Sequence, residues 1–128
     1  MAGYENDDRG ARKTADALSF AGIVLPEGAR VLAVHSDRGI DTRYTLAIAV
    51  DPAKVTELLL RSRFQNPLAH DPSFALKVAD GYRLAEGALS TYDELPPDHD
   101  RPYTVFRRVA VDGSVPEHTL VHISAFNT

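Results

Sequence analysis

The chain has 128 residues, no cysteine and a formal net charge of -4. That length fits one domain able to bury roughly two-thirds of the surface its unfolded form exposes. Without cysteine, disulfides, thiolate nucleophiles and cysteine-ligated zinc are excluded, and the fold must rest on its apolar core.

No lysine/arginine cluster is long or dense enough to track a phosphate backbone, so nucleic acid is not an expected partner. No segment approaches the ~20 apolar residues of a membrane span, and Met1 to Asp8 lacks the apolar run of a signal peptide. The chain therefore reads as soluble and cytoplasmic. Prior removal of an export signal or lipid anchor would leave the same sequence, which keeps an extracytoplasmic location as the alternative.

In chain order, residues 1–13 are polar and read as a flexible tail, leaving 14–128 as one α+β domain. Thr14 is a capping type, and Ala15 to Ala21 has helical composition ending at Gly22, which suits a helix C-terminus; a short N-terminal helix is expected there. Arg30 to Ser36 and Arg43 to Val50 read as strands about the bend Ser36-Asp37-Arg38-Gly39. An unbroken register puts His35 opposite Tyr44, Ala33 opposite Leu46 and Val31 opposite Ile48 on one bulky face. The other face would then carry Leu32, Val34, Thr45, Ala47 and Ala49. A hairpin apolar on both sides is usually covered on both sides, so this small face is expected either under the N-terminal helix or under a partner.

Asp51-Pro52 opens a helix at about 52–64, with a capping acid and proline at the first helical position. Val55, Leu58, Leu59 and Ser62 follow a helical stripe, from which Leu60 falls away. Residues 65–102 are interrupted by prolines. Within them Asp80-Gly81 separates Phe74–Val78 from Tyr82–Ala85, for which a short hairpin is preferred over a single helix. Asp93, Glu94, Asp98 and Asp100 put four acids into eight residues and read as an exposed acidic loop.

Tyr103 to Val111 and Thr119 to Phe126 form a second hairpin, so the sheet is mainly antiparallel and built from hairpins at about 30–50 and 103–126. Val105, Arg107, Val109, Val121, Ile123 and Ala125 are expected on one face. Phe106, Arg108, Ala110, Leu120, His122 and Phe126 are expected on the other. Adjacent arginines on a strand point opposite ways, so one of them must lean toward the buried side and find a carboxylate or carbonyl.

The chemistry-bearing patterns are few. His118 and His122 have the spacing that binds zinc on a helix, but on a strand they lie ~13 Å apart. The acids around His99 lack the glycine and closing glutamate of a calcium loop. No metal or cofactor is expected. No serine-nucleophile or phosphate-loop motif is present, and the sequence leans away from an enzyme.

The order Leu25-Pro26 before a strand, Arg38-Gly39-Ile40-Asp41 in the bend, the Pro52 helix ending at Phe64, and Arg107-Arg108-Val109-Ala110-Val111-Asp112 followed by Pro116 resembles small uncharacterised proteins and lipoproteins of high-GC actinobacteria, from residue 18 onward. The resemblance implies no activity. Such relatives often carry an export signal or lipid anchor, which strengthens the extracytoplasmic alternative.

Two functional expectations follow. The preferred one is a non-catalytic domain that binds another protein, with an inhibitor- or immunity-type role as one version, through Leu32, Val34, Asp93, Glu94, Asp98 and Asp100. The alternative is a small-ligand binder or cofactor-free enzyme, with His35, Tyr44, Arg108 and His122 lining a pocket between sheet and helix. A homo-oligomer is left open.

Overall fold

A computed structural model describes residues 2–39, 41–70 and 87–127; the short hairpin expected within Phe74–Ala85 falls outside them. Helix α1 (Ala2–Ala21) leads to strands β1 (Arg30–Arg38) and β2 (Thr42–Val50), then through a 3-10 turn (Pro52–Lys54) to helix α2 (Val55–Arg61). Strands β3 (Leu89–Leu95), β4 (Val105–Asp112) and β5 (Thr119–Phe126) are the remaining described elements. All pairings are antiparallel, in the order β1-β2-β5-β4-β3. This is the expected α+β fold, with the hairpins joined side by side where Leu46 pairs with Ile123.

Both helices lie on one face, here called the inner face. Ala17, Phe20 and Ala21 of α1 and Leu58 of α2 bury against Tyr44, Leu46, Ile48, Val105, Val109, Val121 and Ile123. Phe20 packs 5.3 Å from Tyr44 and 5.9 Å from Tyr103, centroid to centroid. The alternation expected for β4 and β5 holds across the whole hairpin, since Val109 pairs with Ile123 and Ala110 with His122.

Three features depart from the sequence reading. Helix α1 begins at Ala2 and not at Thr14, whose hydroxyl instead donates back to the Gly10 carbonyl at 2.9 Å. The residues read as a tail contain no proline, but Gly3, Asn6, Asp7, Asp8 and Gly10 are poor helix formers, and with the segment's polarity they concealed a helix.

The second departure is the register of β1. It shifts between Val31 and Ala33, leaving Leu32 as an extra residue, a β-bulge. Val31 still faces Ile48, but Val34 now faces Leu46, His35 faces Thr45 and Ser36 faces Tyr44. One inserted residue moves every later side chain to the opposite face. Val34 therefore packs on the main core, while Ala33 joins Ala47 and Leu32 in a small outer cluster.

The third is β3, whose last residues, Asp93 to Leu95, fall in the expected acidic loop. Its inward residues are Leu89, Thr91, Asp93 and Leu95, paired with Val111, Val109, Arg107 and Val105. A charged residue in an inward position broke the apolar alternation that marks a strand.

The helix ends share one geometry. At α1, Ile23 N–H donates to the Leu18 carbonyl (2.9 Å) and Gly22 N–H to Ser19 (3.2 Å), with Gly22 at φ 64°. At α2, Phe64 donates to Leu59 (3.0 Å) and Arg63 to Leu60 (3.1 Å), with Arg63 at φ 61°. Both are Schellman caps, and glycine fills the left-handed position in only one of them. A Cβ on Gly22 would also lie 2.6 Å from the Leu95 side chain.

Candidate functional site

The polar centre of the inner face is Arg107, 1% exposed. Its Nε donates to Asp93 Oδ1 at 2.8 Å and its Nη2 to Asp93 Oδ2 at 2.7 Å. Nη1 donates to the carbonyls of Ala21 (3.0 Å) and Ser62 (2.8 Å), and Nη2 to that of Arg63 (3.2 Å). Every N–H of the guanidinium has an acceptor. Those carbonyls end the two helices, where the helix dipole favours a cation. The Phe64 ring lies 4.0 Å from the Arg107 Cζ, and the Ser62 hydroxyl accepts from Val24 N–H at 2.9 Å. Arg107 thus joins β3, β4 and both helices. A fully paired, buried guanidinium holds the fold together and offers no free donor to a ligand.

The outer face carries different chemistry. Among the described residues, those of α1 and α2 that reach the core all join the inner cluster and not this face. The pairings set Arg43, Phe126, Phe106 and Glu94 in one row across β2, β5, β4 and β3. The next row is Thr45, Ser124, Arg108 and Tyr92. Phe106 and Phe126 stack at 5.4 Å with planes 26° apart, and the Arg43 guanidinium sits 4.7 Å from the Phe126 centroid. Arg43, Arg108 and Glu94 are exposed, the two phenylalanines are half-buried, and Tyr92 is 69% exposed.

One row further, Ala47, His122, Ala110 and Ser90 are all buried. Among the described residues, neither nitrogen of the His122 ring has a hydrogen-bond partner. Burial holds the imidazole below its ordinary pKa, and the Asp112 carboxylate opposes that in part.

A separate open cleft of about 520 Å³ lies at the end of the sheet nearest Thr42, lined by Asp16, Phe20, Tyr44, Asp98, Asp100, Arg101 and Tyr103 among others. Asp98 Oδ1 accepts from the backbone N–H of Asp100 (2.9 Å) and Arg101 (3.0 Å), shaping the turn, and Arg101 Nη2 donates to the Pro96 carbonyl at 3.0 Å.

The expected pocket quartet divides between faces. His35, Arg108 and His122 share the outer face, whereas Tyr44 is buried on the inner face against Phe20. The bulge at Leu32 accounts for the separation of His35 from Tyr44. Of the expected contact residues, Asp93 is 6% exposed and committed to Arg107. Val34 belongs to the main core and Leu32 packs on the small outer cluster. Glu94, Asp98 and Asp100 are exposed. The row Arg43-Phe126-Phe106 was not singled out from sequence, because Arg43 is distant in the chain and the β2-β5 register that aligns it was not readable.

A scan against protein-family models matches nothing, and searches of curated proteins and of solved structures give no match. The class that the described residues define is an α+β domain in which α1 and α2 pack on one face of a five-stranded antiparallel sheet.

Proposed function

We propose that this domain is a non-catalytic protein-binding module whose contact surface is the outer face of the sheet around Arg43, Tyr92, Phe106, Arg108 and Phe126. One observation carries the reading: solvent-reaching aromatic rings and guanidinium groups lie side by side across four strands at the end of the outer face nearest Thr42, where neither α1 nor α2 packs. Tyrosine and arginine dominate the residues whose truncation most weakens protein interfaces, and aromatic rings are enriched at interface centres. The rings supply apolar area with little side-chain entropy to lose. The arginines at the margin favour a partner that presents carboxylates beside an apolar or aromatic group.

An inhibitor- or immunity-type role is one version, with Glu94 at the rim and Asp98 and Asp100 at the same end of the sheet meeting basic groups of the partner. The test is quantitative affinity capture from an extract of the source organism, using the immobilised full chain and its Tyr92→Ala/Arg108→Glu variant. A partner retained by the wild type and lost by that variant, while Asp100→Asn retains it, is the expected result. Retention that ignores the outer-face substitutions refutes the reading.

A second reading rests on the cleft, whose volume is within the range of small-molecule sites. Asp16, Asp98 and Asp100 outnumber Arg101 as charges there, and Phe20, Tyr44 and Tyr103 supply aromatic carbon, so the ligand class is a small organic cation. Titration with benzylammonium should give saturable NMR shifts at Asp16 and Tyr103 that Asp100→Asn weakens. Shifts that are absent or scattered over the surface refute it.

A further inference from the structure

We propose that β1 is a self-association edge, at which two copies of this chain pair antiparallel about a two-fold axis at Val34. Among the described elements β1 pairs only with β2, so its other edge carries a row of backbone donors and acceptors with no strand beside them. The occupant is named by charge. Arg30 faces Ala49 and Asp37 faces Arg43 within the chain, and both are exposed on the outer face.

In a regular strand, residues 30 and 37 would point to opposite faces, since side chains alternate. The bulge at Leu32 absorbs one residue and puts them on the same face. Counting outward from Val34 with Leu32 skipped, Ala33 meets the partner's His35, Val31 meets the partner's Ser36, and Arg30 meets the partner's Asp37. The two-fold axis repeats each pair. The outcome is a pair of opposite-charge contacts at the two ends of the edge and a Val34 to Val34 contact on the inner face. A one-step shift sets Arg30 opposite His35, or opposite Gly39 past the strand end, and loses the charge match. The bulge, which ordinarily blunts a sheet edge, is here what makes the self-pairing register consistent.

The axis is perpendicular to the sheet, so the two five-stranded sheets continue into one and both outer faces look the same way. A strand-to-strand contact of this length is smaller than a standard stable interface, so the association is weak and concentration-dependent. This inference is independent of the protein-binding reading, because it uses the edge of the sheet and not its outer face.

Sedimentation velocity of the full chain from about 10 µM to 1 mM tests it, with folding of each variant checked by circular dichroism. The expected result is a reversible monomer–dimer equilibrium. Arg30→Asp alone and Asp37→Arg alone should each weaken it by about tenfold or more, since like charges then oppose at both ends. The double variant Arg30→Asp/Asp37→Arg should restore it. A wild type that stays monomeric throughout, or a dimer that neither single variant weakens, overturns the proposal.

Discussion

Replacing Arg107 by methionine leaves the Asp93 carboxylate, 6% exposed, without its counter-charge, and removes the donors that bind the carbonyls of Ala21, Ser62 and Arg63. Breaking a buried ion pair from one side typically costs about 3–5 kcal/mol, so Arg107→Met should lower stability by that order in urea unfolding. Arg107→Met with Asp93→Leu should recover part of the loss, since the stranded charge is then gone. A single-variant cost under about 1 kcal/mol would show that the pair does not organise the fold. His122 gives the second residue-scale prediction. Its folded pKa is lowered, chiefly by burial, so the unfolded chain binds more protons through the window between the folded value and the unfolded value near 6.5. Stability contributed by the neutral ring is therefore full above the unfolded pKa and is lost as pH falls through the folded pKa. Urea midpoints should fall with acidification below about pH 6.5, and His122→Leu should flatten that slope. An unchanged slope in His122→Leu would assign the acid sensitivity to other groups.

At the scale of elements, the two Schellman caps make opposite predictions. Gly22→Ala puts a side chain into a left-handed position and against Leu95, so a destabilisation above about 1 kcal/mol is expected by thermal or urea unfolding. Arg63→Gly relieves a non-glycine residue held at φ 61° and keeps the backbone carbonyl that Arg107 uses. It should raise stability by up to about 1 kcal/mol. If Arg63→Gly destabilises, the Arg63 side chain has a role beyond its backbone. These elements also show what the sequence made legible. Strands β4 and β5 alternate cleanly, so both faces of their hairpin were readable, including the need for a buried partner for one of the two arginines. The Pro52 helix was readable from Asp51, whose Oδ1 accepts from the Ala53 N–H at 2.9 Å, and from Leu60, which is 70% exposed. The bulge at Leu32 left no such mark, because no glycine or proline signals it and Ala, Val and Leu fit either face. Asp93 concealed β3 for the opposite reason, a strongly polar residue whose inward position makes sense only once Arg107 is placed opposite it.

For the whole molecule, the two faces of the sheet differ in chemistry. The inner face holds the helices and the Arg107 centre, where substitution costs stability. Arg43, Phe126, Phe106, Arg108 and Tyr92 occupy two adjacent rows of the outer face across four strands whose backbone pairing fixes their spacing. That surface could not be read from the chain alone, because it depends on the β2-β5 pairing that brings Arg43 beside Phe126. The most direct measurement compares folding and partner capture in one variant, Arg43→Ala/Arg108→Ala, by thermal unfolding and quantitative affinity capture side by side. The expected result is an unchanged unfolding temperature together with loss of the retained partner. A variant that unfolds at lower temperature yet captures the same protein as the wild type would contradict it, placing these arginines in the support of the fold and the binding surface elsewhere.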